Sequence, residues 1–216
     1  MVTYTFRYFP FIGFGETIRL LLTAAKVEWT EENPEWPREK PNQPFGRMPV
    51  LFEHSADGGP DFVLSESGTI ERYLSRTYGF LPVDVKQAAL QEQLCDRHVD
   101  IKLAFRNQLF VKESIKEERY AKFEYILDLF ISTQTELLRK NGNIGHSFGT
   151  SLSYADIATY SFMKVFLIHS AEISEEMPKL FKDKLTPELV KLAATVEADP
   201  LLTAYVEAKG SIAALV

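Results

Sequence analysis

Cysteine is almost missing from this chain. The single Cys95 in 216 residues excludes an internal disulfide and suits a reducing compartment. Positive charge is in deficit as well: 24 Lys and Arg stand against 30 Asp and Glu, a net charge of −6. Nucleic acid and anionic membrane need basic patches, so neither is expected as a main partner. No apolar run approaches the ~18 residues of a membrane-spanning helix. The N-terminus carries no basic segment leading into a long apolar run, so no signal peptide is read there. A soluble cytoplasmic protein is the expectation. The four histidines, His54, His98, His146 and His169, show no metal-ligand spacing, and no metal is expected. Cys95 reads as a packed helix residue.

Apolar and aromatic residues are plentiful, at 45% and 12% of the chain, enough to bury a sizeable core. The length allows one large domain or two small ones. Residues 3–9 alternate, with Tyr4, Phe6 and Tyr8 on one face, which predicts a strand. From Glu16 onward, Ile18, Leu21, Leu22 and Ala25 fall at helical spacing. "VEWTEE" (27–32) reads as a second strand, and the proline-rich stretch 33–47 as a loop. "MPVLFEHS" (48–55) and "FVLS" (62–65) flank the turn "DGGPD", which predicts an antiparallel hairpin. "ESGTIERYLSRTYG" (66–79) reads as a helix closed by Gly79. The order is β-α-β-loop-β-β-α in about 80 residues. "FLPVD" (80–84) reads as a linker, and helical segments follow at 85–110, 115–140, 154–169 and 187–208. Pattern alone therefore predicts a small mixed α/β domain, 1–80, followed by an all-helical one, 85–216. Ser153 and Asp156 form an S-x-x-D capping box, a structural feature.

The chemistry-bearing positions are few. The loop after the first strand, residues 9–16, contains no Ser, Cys, His or Lys. Tyr8 is the one hydroxyl at the strand's end, and Tyr4 lies at the wrong end. On pattern alone Tyr8 reads as an ordinary strand aromatic, Trp36 as loop packing, "SES" (65–67) as a helix cap and Asp96 as part of a solvated helix face. Pro49 reads as a trans proline opening a strand.

A resemblance adds to these readings. "YFPFIGFGETIRLLL" (8–22), "WPREK" (36–40), "PFGRMPVLFE" (44–53), "SESGTIERYL" (65–74), "LCDRHVD" (94–100) and "FGTSLSYAD" (148–156) follow one another over nearly the whole chain. In this order the chain resembles a cytosolic glutathione S-transferase of the tyrosine type, sigma-like. The resemblance implies a thioredoxin-like N-terminal domain joined to an all-α C-terminal domain, with a cis bond before Pro49. It implies glutathione as co-substrate and Tyr8 as the residue that activates its thiol. A free thiol of this kind has a pKa near ~8.5 and reacts as the thiolate. A hydroxyl donating to the sulfur favours the charged form.

The same resemblance implies the ligand contacts. Met48 pairs its backbone with the extended tripeptide, as an added strand does. Glu66 holds the ligand's amino group, and Ser67, with the helix N-terminus behind it, holds a carboxylate. Trp36 and Lys40 reach the glycine end, and Arg47 offers a charge to a ligand carboxylate or points to solvent. Asp96 is matched to an acid that crosses a homodimer to the partner's ligand, and Phe45 to an aromatic key inserted into the neighbouring subunit. Many tyrosine-type members carry an arginine where this chain has Phe14, so positive potential near the thiolate is reduced. The aromatic loop favours an apolar co-substrate pocket, drawn from Phe11, Phe14, Phe105 and Leu109.

The leading expectation is an enzyme adding the glutathione thiolate to an apolar electrophile. Two alternatives stand beside it: a glutathione-dependent double-bond isomerase using the same site, and a non-catalytic ligand carrier on the same fold.

Overall fold

The computed structural model describes residues 1–108, 112–172 and 174–216. Its first half is a four-stranded sheet with two helices. Strand β1 (Thr3–Arg7) is central, with β2 (Glu28–Glu32) parallel on one side and β3 (Val50–His54) antiparallel on the other; β4 (Phe62–Ser65) closes the edge antiparallel to β3. The order β2-β1-β3-β4 follows from connection length. A helix, α1 (Glu16–Ala24), carries the chain back to make the parallel pair, whereas the turn at 57–61 needs only a hairpin. The alternation in β1 sends Tyr4, Phe6 and Tyr8 inward, where they are 2%, 0% and 3% exposed. Helix α2 (Ser67–Thr77) packs beside α1, burying Ile70 and Leu74.

The second half is helical: α3 (Val85–Gln108), α4 (Lys116–Lys140), α5 (Tyr154–Leu167), α6 (Glu176–Lys184), α7 (Pro187–Glu197) and α8 (Thr203–Lys209). Helix α5 is buried along its whole length, and its start is fixed by the capping box that the sequence predicts. Ser153 accepts from the Asp156 N–H, and Asp156 accepts from the backbone N–H of Ser153 and of Ser147. Two elements differ from the expectation. The segment 187–208 is two helices, because Pro200 cannot continue α7. Helix α6 was not read from the sequence: it buries only Met177 and Phe181, and Pro178 in its first turn masks it.

The halves meet along α1, α2, α3 and α5, and the seam carries buried polar contacts. Lys164 of α5 pairs with Glu16 of α1 at 2.5 Å, and the Tyr154 hydroxyl donates to Glu71 of α2 at 2.8 Å.

Candidate active site

Tyr8 lies one residue past β1, where the chain leaves the sheet. Its backbone is anchored on both sides: its N–H donates to the Glu32 carbonyl at 3.1 Å, and its carbonyl accepts from Asn33 at 3.0 Å. The loop 9–15 then folds over its ring. The Phe14 N–H donates to the Tyr8 hydroxyl at 2.8 Å. Two glycines make this possible. A Cβ at Gly13 would lie 2.7 Å from the hydroxyl oxygen, and one at Gly15 would lie 2.5 Å from the ring. Arg19 holds the loop from below, donating to the carbonyls of Phe9 and Phe11 at 3.0 Å each and pairing with Glu31 at 2.6 Å and Glu16 at 3.3 Å. Burial pushes the Tyr8 hydroxyl up to about 12, against the lowering effect of the Phe14 N–H and of Arg19 and Arg106. The hydroxyl therefore stays protonated at neutral pH and has a proton to donate.

Tyr8 opens onto a cleft of about 350 Å³ between the halves. Phe11, Phe14, Met48 and Phe105 line it with Tyr8, so the structure brings together these five positions named from the sequence. Leu109 lies outside the described residues. Aromatic stacking builds the near wall: Phe9 and Phe11 stack at 5.3 Å, and Phe11 stacks on His169 at 4.8 Å. The cleft also takes in Lys102, Arg106 and His169, none of which the sequence marks as a site residue. The signal was present, since Lys102 and Arg106 fall four apart around Phe105 on α3.

The remaining positions lie outside that cleft. Trp36 packs edge-on against Phe9 at 5.5 Å and so adjoins the near wall. Pro49 is buried just before β3, and the Met48–Pro49 bond is cis; so is Trp36–Pro37, which was not anticipated. Lys40 and Arg47 are exposed on the connection between β2 and β3. Glu66 is exposed at the head of α2 with φ of 71°, a left-handed conformation that a side chain adopts only at a cost of ~1–3 kcal/mol. No side chain caps α2, so the helix-cap reading of "SES" is not realised; the N–H groups of Ser67 and Gly68 find no acceptor among the described residues, while that of Thr69 turns to the Glu66 carbonyl at 3.0 Å. Asp96 is paired with Arg72 of its own chain at 2.8 Å. Cys95 is buried, as a packed helix residue.

A four-stranded sheet of this topology with a cis proline opening β3, joined to a helical half, is the thioredoxin-like fold in its two-part, transferase form. Residues 4–76 match the family model for the glutathione S-transferase N-terminal domain, and residues 99–209 match that for the C-terminal domain. The chain is 28% identical over 217 residues to glutathione S-transferase P 1 of Xenopus laevis, covering 96% of this chain and 87% of that protein. It is 26% identical to hematopoietic prostaglandin D synthase of Gallus gallus, over 96% of each. A Nu-class GST from Haemonchus contortus superposes with a TM-score of 0.74 at 26% identity, covering 99% of this chain and 100% of that one. The chain belongs to the glutathione S-transferase family. It is an enzyme that conjugates glutathione, its co-substrate, to electrophiles.

Proposed function

We propose that Tyr8 donates a hydrogen bond to the glutathione sulfur and holds it as the thiolate, which attacks an apolar electrophile bound in the cleft. One observation carries this reading. The Tyr8 hydroxyl sits buried at the cleft wall and accepts from the Phe14 N–H, while its own proton has no acceptor among the described residues. Lowering a thiol pKa by about two units takes roughly 2.7 kcal/mol. Hydrogen bonds to charged groups contribute about 1.5–3 kcal/mol, which matches the need.

The tripeptide then lies across the strand ends, beside the cis bond that opens β3. The Met48 backbone pairs with its extended centre. The open N-terminus of α2, with Ser67, takes a carboxylate, and Glu66 takes the ammonium group. Trp36, Lys40 and Arg47 serve the glycine end. The phenyl-lined cleft takes the electrophile, beside Phe11, Phe14 and Phe105.

The test is a pH titration of the thiolate absorbance of bound glutathione, in the wild type and in Tyr8→Phe. The wild type is expected to titrate well below free glutathione and the variant close to it. An unshifted thiol in the wild type sinks the reading. A second use of the site has one observation in its favour, the similarity to a relative named as a prostaglandin D synthase. Thiolate addition to a conjugated alkene, rotation and elimination would return glutathione and an isomer, so product analysis separates the two.

We also read the protein as a cytoplasmic homodimer. Phe45, the proposed key, is 79% exposed, and Phe62, Val63 and Leu90 expose further apolar surface. Asp96 would reach a partner's ligand only by sharing or leaving Arg72. Light scattering on Phe45→Ser is expected to give the mass of one chain where the wild type gives that of two; a variant that keeps the wild-type mass removes Phe45 from the interface.

A further inference from the structure

The loop that wraps Tyr8 brings no charge to its hydroxyl, since residues 9–15 are aromatic, aliphatic, proline or glycine. A thiolate held there places a full negative charge against an apolar wall, which is costly unless a cation answers it. Two cations act electrostatically on the Tyr8 hydroxyl, Arg19 and Arg106, and a charge that reaches the hydroxyl also reaches a sulfur bonded to it. They differ in what else they do. Arg19 is committed to two carboxylates and three loop carbonyls, and it lines a separate cavity on the far side of the loop. Arg106 lines the same cleft as Tyr8, Phe14 and Met48, is exposed, and has no carboxylate partner among the described residues. Lys102, one turn earlier on α3, lines the cleft too, but Glu71 of α2 already acts on its buried charge.

We propose that Arg106 is the activating cation of this site: Tyr8 supplies the hydrogen bond to the thiolate and Arg106 the field that stabilises it. The proposal rests on the transferase reading of the cleft. On binding, the thiol proton leaves to solvent and the electron pair stays on sulfur. Arg106 keeps its own protons throughout, and no bond to it forms or breaks. The positive charge thus comes to the sulfur from the helical half, across the cleft from the hydroxyl, so that the two halves together make the nucleophile.

The test is the thiolate titration of bound glutathione in the full chain, comparing wild type, Arg106→Gln, Arg106→Lys and Tyr8→Phe. Arg106 is exposed, so its replacement leaves the core untouched. Arg106→Gln is expected to raise the bound thiol pKa by about one unit. Arg106→Lys restores most of the shift, and the gap between wild type and Arg106→Gln narrows as salt is added. The kcat/KM of Arg106→Gln falls about tenfold below the thiol pKa and converges on the wild type at high pH. A thiol that titrates identically in wild type and Arg106→Gln overturns the proposal. So does a loss confined to electrophiles that carry a negative charge, which would make Arg106 a co-substrate contact. If Tyr8→Phe abolishes the shift and Arg106→Gln does not, the transferase reading stands and the proposal alone fails. A wild-type chain that binds no glutathione, or binds it with an unshifted thiol, sinks both.

Discussion

Two loops leave the sheet at the Tyr8 end of β1, and they are built in opposite ways. Residues 9–15, after β1, are locked from three directions: by the Phe14 N–H on the Tyr8 hydroxyl, by Arg19 on the carbonyls, and by two glycines against the ring. The connection between β2 and β3 is exposed instead: Lys40 and Arg47 stand in water with no carboxylate partner among the described residues, and Arg38 pairs only with its near neighbours Glu35 and Glu39, at 2.9 and 3.5 Å. In the proposed function the first loop serves a bond-making atom, where an ångström of error costs orders of magnitude. The second, in the same proposal, serves charged ends of a peptide, which long cations reach from many conformations. On that proposal, rigidity is placed where the reacting atom is, and exposed charge where only attraction is needed.

The largest expected effect comes from spoiling the locked loop without touching its chemistry. Gly15 has φ of −87° and ψ of −18°, which alanine adopts freely, so Gly15→Ala introduces only a methyl group. That methyl meets the Tyr8 ring at 2.5 Å, and the ring must move. Overpacking of this kind costs about 1–3 kcal/mol of stability. In the role proposed for Tyr8, moving its hydroxyl is expected to lower kcat by about a hundredfold, with the KM for glutathione little changed. Steady-state kinetics and a thermal melt check both. A folded Gly15→Ala chain with wild-type kcat would show that the loop tolerates a moved Tyr8, and the contrast between the two loops would lose its meaning.

Much of this arrangement is legible in the chain. The alternation of β1, the proline-rich connection and the hairpin are local signals, and the strands fall within two residues of where period and turn residues put them. What stays hidden depends on contacts distant in sequence. Arg19 sits inside an apolar helical stripe, and nothing local says that its guanidinium reaches three loop carbonyls and Glu31. Glycines 13 and 15 announce a loop, but not that a ring lies under them. Lys102 and Arg106 read as ordinary helix charges until α5 and the first loop close the cleft around them. Helix α6 escaped because two buried side chains do not make a periodic stripe.

The exposed loop predicts a smaller and different loss. Lys40→Ala is expected to raise the KM for glutathione about tenfold, the cost of one charge-assisted contact, and to leave kcat within twofold. Added salt mimics part of the effect in the wild type, because an exposed cation is screened. A fall in kcat at saturating glutathione would mean that Lys40 helps to align the sulfur, and the division between a loop for position and a loop for attraction would break down.

The smallest effect is an expected absence of change, and it tests the locked loop at its centre. The Tyr8 proton must stay on oxygen for the hydrogen bond to the thiolate to exist. Burial outweighs the cations and the Phe14 N–H, pushing the hydroxyl up to about 12. Two ionisations therefore act in opposite directions. As pH rises through the pKa of the bound thiol, the thiolate forms and kcat/KM rises. As pH rises through that of Tyr8, the donor is lost and kcat/KM falls. With the second far above the first, the profile should rise once and stay level to about pH 10, where thiol and hydroxyl differ most in state. Arg106→Gln moves the rise to higher pH without creating a fall, because it acts on the thiolate and leaves the hydroxyl protonated. A descending limb near pH 9 in the wild type would mean that Tyr8 ionises early. The dominance of burial over charge in this loop would then be wrong, even if every contact around it were right.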